Sequence, residues 1–358
     1  MKIGVITLPF HTNYGGILQA YALQIVLERM GHDVYFVKRT NPIDKVIPKI
    51  KELFKRILVC LTYTNIRSSI AVRECRRKNL DSFVKNNIHK YYYLDTNNNP
   101  KLDILISGSD QVWRDWGEGW DLMFYFFDFA RKWTVKRYSY AASFGVDQWS
   151  FPINKTKEIV DLLHSFDKIS VRENNAISLI KEKANIDALW LLDPTMLLTV
   201  EDYKQELMVT AGHKYKLISY ILDSKPEKQD VIEKIEEAMG CDNYDIGNPL
   251  PSTINGLFEL PTISEWLSNF MGAVFVVTDS FHGTAFSINF NKDFVVLSNQ
   301  LRGQSRLLSI LEMYGLEDRL VANSEDAENK LRIPIDWSRV NERLAKEREK
   351  SFNFLKNI

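Results

Sequence analysis

The sequence predicts an α/β protein of two domains with a closing C-terminal helix, and three observations carry that prediction. Short β-branched runs alternate with helical patterns, the mark of βαβ units and parallel sheets. The alternation halts at Asp193-Pro194-Thr195 and then resumes. The length, 358 residues, fits two domains at roughly 100 to 200 residues each. The predicted division is 1–195, 196–335 and a terminal helix over 336–358.

Taken in order, Ile3 to Leu8 reads as the first strand. Ile17, Leu18, Tyr21, Ala22, Ile25 and Val26 then recur at helical spacing, and Gly31 stands where a C-terminal cap belongs. Strands follow at Val34 to Lys38, Asp103 to Ser107, Tyr138 to Ser143 and Lys168 to Arg172. The second series is Lys216 to Leu222, Tyr244 to Gly247, Ala273 to Thr278 and Asp293 to Ser298. From Trp337 onward, Val340, Leu344, Phe352 and Leu355 share one helical face, so the tail should pack as a helix.

Composition narrows the function classes. Hydrophobic residues make up 45% and charged residues 26%, which excludes a disordered or collagen-like chain. Lys+Arg 46 balances Asp+Glu 46, so nothing global points to nucleic acid. The balance is uneven along the chain: Lys45 to Lys90 carries a net +9 and the remainder −9. Within that stretch a basic amphipathic helix is predicted over 45–61, with Val46, Ile50, Leu53, Ile57 and Leu61 on its apolar stripe. Two readings of it stay open, a solvated helix on its own core or a peripheral contact with anionic lipid of the inner leaflet. Three cysteines without a CxxC pair argue against a disulfide framework and a zinc site. With no apolar run of roughly 18 residues, a cytoplasmic location is expected. No metal and no cofactor are expected.

Four strand-to-turn motifs carry the chemistry. His11-Thr12-Asn13-Tyr14-Gly15-Gly16 joins the first strand to the first helix; its glycines admit close backbone approach, but it is no GxGxxG fingerprint. Gly108-Ser109-Asp110-Gln111-Val112-Trp113 ends another strand, where ligands of open sheets bind. Its bland reading is a Gly-Ser turn with a capping aspartate. Ser170-Val171-Arg172-Glu173 places an arginine after a buried strand, suited either to a salt bridge or to an anionic ligand. Asp279-Ser280-Phe281-His282-Gly283 opens a helix, so that His282 faces the crevice as a candidate acid, base or hydrogen-bond donor. Downstream, Arg302 and Arg306 add cations.

Read together with Ser143-Phe144-Gly145 and Asp193-Pro194, this ordered set resembles the polysaccharide pyruvyl transferase family over roughly residues 1 to 320. The resemblance implies two Rossmann-like domains facing a cleft, as in GT-B glycosyltransferases. It implies phosphoenolpyruvate as donor, a sugar or lipid-linked saccharide as acceptor, and a ketal as product. His282 is then the expected catalytic acid or base. Arg172, Ser280, Gly283, Arg302 and Arg306 are the expected donor contacts. Asn13, Tyr14, Gly15, Gly16, Ser109, Asp110, Gln111 and Trp113 are expected on the acceptor side, with Trp116 and Trp120 as further stacking surfaces; ordinary packing is the alternative for all three tryptophans. Many relatives carry arginine where this sequence has Ser280. Two rival readings therefore stand beside the first: a nucleotide-sugar glycosyltransferase of GT-B type, and a catalytically inactive glycan-binding relative.

Overall fold

The computed structural model describes residues 1–10, 13–39, 77–88, 90–94, 101–210, 215–247, 250–251, 258–299 and 303–358. The predicted basic helix over 45–61 and Arg302 lie outside the described residues, as do His11 and Thr12.

The first sheet contains β1 (Lys2–Ile6), β2 (Asp33–Lys38), β3 (Tyr91–Tyr93), β4 (Ile104–Ser107) and β5 (Lys136–Ser139), in the order β3-β2-β1-β4-β5. All pairs are parallel; Ile3 aligns with Val34 on one side and Ile104 on the other. The central strands β1 and β4 are near-continuous buried runs, as expected of a parallel sheet covered on both faces. Bridges Tyr138↔Lys168 and Ala142↔Val171 extend this sheet to β6 (Ile169–Val171), which pairs with β7 (Ala188–Trp190). The second sheet has the order β14-β13-β12-β8-β9, also parallel, from β8 (Leu217–Tyr220), β9 (Asn243–Asp245), β12 (Phe275–Thr278), β13 (Asp293–Leu297) and β14 (Leu320–Val321). Between them in sequence, β10 (Leu250–Pro251) and β11 (Phe258–Glu259) form a small antiparallel pair. Each large sheet is Rossmann-like, and strand order reverses direction at β1/β4 and at β8/β12, where such sheets bind ligands.

Helix α1 (Tyr14–Arg29) starts at Asn13, whose Oδ1 accepts from the Gly16 N–H at 3.3 Å. It ends where Gly31, at φ 84, takes the left-handed conformation that L side chains resist. The sequence pattern marks one apolar face, yet α1 is buried nearly all round. It lies between the first sheet and the connecting segment 191–198, so a single core cluster runs from Ile3 and Leu18 through Leu191 to Phe286. Each fully buried Leu or Phe in it contributes roughly 1.5–3 kcal/mol. A second, aromatic-rich cluster covers the other face of the first sheet, and a third covers the other face of the second sheet.

The remaining described helices that matter below are α2 (Ile153–Leu163), α3 (Asn174–Ala184), α4 (Val200–Leu207), α5 (Pro226–Met239), α6 (Ile263–Gly272), α7 (Phe281–Asn289), α8 (Gln304–Tyr314), α9 (Ser324–Leu331) and α10 (Trp337–Lys356). The closing helix α10 starts beside the second sheet, where the Ile335 N–H donates to Asp293. It finishes on the first, with Phe354 against Tyr138 and Tyr140 and Lys168 donating to the Asn357 carbonyl. On the way Arg348 donates to the Met196 carbonyl at 2.7 Å and to Asn289 Oδ1 at 2.6 Å, pinning the connection. Its buried face includes Ser351 and Phe354, whereas Phe352, expected there, is only half-buried; Ser351 points inward to accept the Leu192 N–H. Two Rossmann-like domains thus face each other, with the last helix returning to the first, the GT-B-like arrangement. No helix among the described residues is long and apolar enough to cross a membrane.

Candidate active site

The carboxyl ends of both sheets converge on one buried cluster. After β6 comes Arg172, whose side chain is about 1% exposed. Its Nη1 lies 3.0 Å from Asp193 Oδ2, Nη2 3.5 Å from Asp110 Oδ1, and Nε 3.4 Å from Glu173 Oε1. From the second domain, the Phe281 ring lies 4.2 Å from the guanidinium carbon. A buried cation needs such neutralisation, because an unpaired charge in the interior is expensive.

Asp193 is the meeting point. It opens a 3₁₀ turn, Pro194–Met196, and its Oδ1 accepts from the Thr195 N–H and hydroxyl at 3.0 and 2.8 Å. Oδ2 accepts from the Ser109 hydroxyl at 2.8 Å and faces His282 Nε2 at 3.7 Å. Burial pushes this carboxyl up, but His282, Arg172 and the Thr195 N–H outweigh burial and hold it below the usual carboxylate range. Glu173 goes the other way. Burial raises it, and Arg172, the Ser143 hydroxyl and Arg306 offset that only in part. Arg306, in the first turn of α8, is buried too; burial and the neighbouring Arg172 lower it to about 10 against the pull of Glu173 and Asp110.

His282 sits in the first turn of α7, capped by Ser280, whose hydroxyl accepts from the Gly283 N–H at 3.4 Å. The imidazole is 5% exposed, and its Nε2 has no hydrogen-bond partner. The 3.7 Å to Asp193 is beyond hydrogen-bond length. Across the domain boundary the ring meets the backbone of Gly15, where a Cβ would overlap it. Tyr14 beside it stacks on Trp266 of α6 at 5.4 Å and donates to the Pro261 carbonyl. Gly303 packs against the Gly145 backbone, and the Asn174 N–H donates to Ser309 Oγ at 3.0 Å.

Two non-glycine residues near the site take a positive φ. Asp110, at φ 70, and Ala141, at φ 48, both sit in the left-handed region just past β4 and β5. Such residues cost of order 1–3 kcal/mol, and persist where surrounding structure over-determines them. Asp110 lies close to Gly16: a Cβ there would approach its Oδ2 at 3.2 Å.

One expectation, that for Trp113, is corrected, and the other predicted residues take the following places. Trp113, expected to stack on a sugar, is fully buried between Phe126, Phe144 and Phe166, and its Nε1–H donates to the Tyr125 carbonyl. Trp116, 48% exposed, lies under Arg114, and Trp120 stacks on Tyr125. Arg172, expected to hold the donor's anion, has its charge met by three carboxylates. Tyr14 and Gly15, expected on the acceptor side, pack instead on the second domain. Asn13 and Ser280 are helix caps, Gln111 accepts from Arg114 at 2.8 Å, and Ser109 donates to Asp193. The site residue that sequence reasoning passed over is Asp193, quoted as part of a motif but given no role.

One more buried pair holds the base of α7. Asp279 accepts from Lys228 of α5 at 2.5 Å, from the Leu222 and Asp223 N–H groups, and from Asn299 at 2.9 Å. The turn that presents His282 is thereby tied to the ends of β8 and β13. Among the described residues no group of His, Cys, Asp and Glu is placed to hold a metal ion.

The family model for polysaccharide pyruvyl transferase matches residues 13–300. The chain belongs to the polysaccharide pyruvyl transferase family. Every cluster residue except Arg306 falls within the matched span of this transferase family. No curated protein matches the sequence. Among solved structures the chain is similar to the UDP-GlcNAc 2-epimerase of Methanocaldococcus jannaschii, with TM-score 0.48 and 10% identity over 94% of this chain and 93% of that one. The S. aureus MnaA-UDP co-structure gives 0.46 and 13% over 97% and 91%. A ugt transferase from Siraitia grosvenorii in complex with UDP gives 0.47 and 10% over 99% and 98%.

Proposed function

We propose that this pyruvyl transferase family member uses phosphoenolpyruvate and transfers its pyruvyl carbons, as a ketal, to hydroxyls of a sugar in a cell-surface polysaccharide or its precursor. The observation that carries the reading is the buried His282 Nε2, without a hydrogen-bond partner, at the junction of both domains. The chemistry needs a proton delivered to the donor's methylene carbon, attack by one hydroxyl on the central carbon, loss of phosphate, and attack by a second hydroxyl. A histidine can give and take those protons at neutral pH. His282 is the acid or base in this reading, and the Asp193 carboxylate faces it at 3.7 Å.

The donor carries a carboxylate and a phosphate. Arg306, the α7 N-terminus at Ser280 and Gly283, and Arg302 are its contacts, while Arg172 acts by fixing Asp193. The acceptor approaches from the first domain, past Asn13, Gly16, Asp110 and Gln111. The basic stretch 45–61 is the segment that would hold the protein at an anionic leaflet, which co-sedimentation with anionic vesicles tests.

The deciding experiment is a thermal-shift titration with phosphoenolpyruvate beside a panel of nucleotide sugars, followed by phosphate release with candidate glycans. A saturable shift with phosphoenolpyruvate alone is expected. A shift with one nucleotide sugar alone replaces this reading with glycosyl transfer, and glycan binding without phosphate release replaces it with an inactive binding protein.

A further inference from the structure

A pocket of about 380 Å³ lies at the carboxyl end of the first sheet, between the segment after β1, the end of β2 and the helical stretch 77–87. That volume suits a monosaccharide-sized ligand. Its wall reaches the buried cluster through Thr7: the Thr7 hydroxyl donates to the Ser109 carbonyl, and the Ser109 hydroxyl donates to Asp193.

Aromatic rings of Phe10, Phe36, Phe124 and Tyr125 line it, with three charged side chains, Lys38, Arg39 and Asp81. Two of those charges are already met. Arg39 pairs with Asp121 at 2.9 Å and Asp128 at 2.7 Å, and Asp81 pairs with Arg77 at 3.3 Å. Lys38 differs. Among the described residues no carboxylate pairs with it; its Nζ lies 3.9 Å from the Tyr91 ring centre and 5.6 Å from that of Phe10. Burial pushes this amine down, and an anion arriving beside it would favour its charged form.

We propose that this pocket binds an acidic saccharide, with an anionic group of the sugar on the Lys38 amine and its apolar C–H face on the aromatic wall. The proposal rests on the reading that the acceptor is a saccharide, and it names that acceptor as acidic. The anion is either the carboxylate of a uronic acid or the phosphate of a glycosyl phosphate.

The test is a ligand-observed NMR titration of the full chain with the uronates and 1-phosphates of glucose, galactose and mannose. Neutral methyl glycosides are the controls, and wild type is compared with Lys38→Met and Lys38→Arg. At least one acidic sugar should bind roughly tenfold more tightly than its neutral counterpart, as one charge-assisted contact allows. Lys38→Met should abolish that advantage and Lys38→Arg restore most of it, with circular dichroism confirming that both fold. The series that binds, uronate or phosphate, identifies the source. Equal binding of acidic and neutral sugars, binding of neither, or binding unchanged in Lys38→Met overturns the proposal. The donor titration is read separately: acidic-sugar binding without any response to phosphoenolpyruvate would sink the transfer reading and leave this one standing.

Discussion

Gly15 of the first domain and His282 of the second touch directly: the backbone of α1's first turn lies against the imidazole, in space that any side chain would fill. The glycine is required there by this close approach, since its φ is not positive. Gly15→Ala is therefore a purely steric wedge between the domains. Overpacking of this kind costs about 1–3 kcal/mol. The expected outcome is a lower melting temperature together with at least ~10-fold slower phosphate release, because a shift of the ring by about 1 Å suffices for such a loss. A variant that melts and turns over like wild type would show that the two turns do not need to meet.

For His282 itself the expected effects separate. The Nε2 atom has no hydrogen-bond partner, so removing the ring breaks no bond there and leaves the Ser280 cap in place. His282→Ala should keep its circular dichroism spectrum and lose turnover by roughly 10²-fold or more. Steady-state phosphate release measures it. Turnover within threefold of wild type would move the proton transfer to another group.

The positions of these residues were legible in the sequence to different degrees. The strands before each motif are apolar and β-branched, so β1, β4, β6 and β12 stand out, and with them the points where Ser109, Arg172 and His282 emerge. Strands β3, β7 and β14 are two or three residues long and carry no period. What a sequence pattern does not carry is which side chain consumes which. Arg172 stays open between a salt bridge and an anionic ligand until Asp110, Glu173 and Asp193, which lie 62, 1 and 21 positions away, are seen to surround it. Trp113 reads as a sugar platform for the same reason, because the rings that enclose it come from Phe126, Phe144 and Phe166.

Asp193 makes a prediction about acid stability. Its folded-state pKa lies below its unfolded value, so the carboxylate stabilises the fold at neutral pH, and that contribution is lost as pH falls from about 5 through the carboxylate range. Asp193→Asn keeps the shape but removes the charge facing Arg172. Breaking a buried pair in this way costs about 3–5 kcal/mol. Urea unfolding should show that loss at pH 7 and a smaller gap between variant and wild type at pH 3. A gap that stays constant across that range would mean the charge of Asp193 does not contribute.

Glu173 carries the opposite sign. Burial raises its folded pKa, so the neutral form is favoured in the fold and its stabilising contribution fades as pH rises through that pKa. When Glu173 is protonated, Arg172 and Arg306 are less compensated, and an anionic donor meets a more positive site. Donor affinity in the wild type should therefore weaken as pH rises through the titration of Glu173. In Glu173→Gln it should stay at the tighter value. The donor's own phosphate also titrates, but equally for both proteins, so the ratio of the two dissociation constants isolates the side chain. Calorimetric titrations with phosphoenolpyruvate between pH 5 and 8.5 supply that ratio. It should grow with pH to roughly tenfold, the size of one charge interaction of about 1.4 kcal/mol. A flat ratio, or weaker binding by Glu173→Gln throughout, would place Glu173 outside the electrostatics of the donor and leave it only its bonds to Ser143 and Arg172.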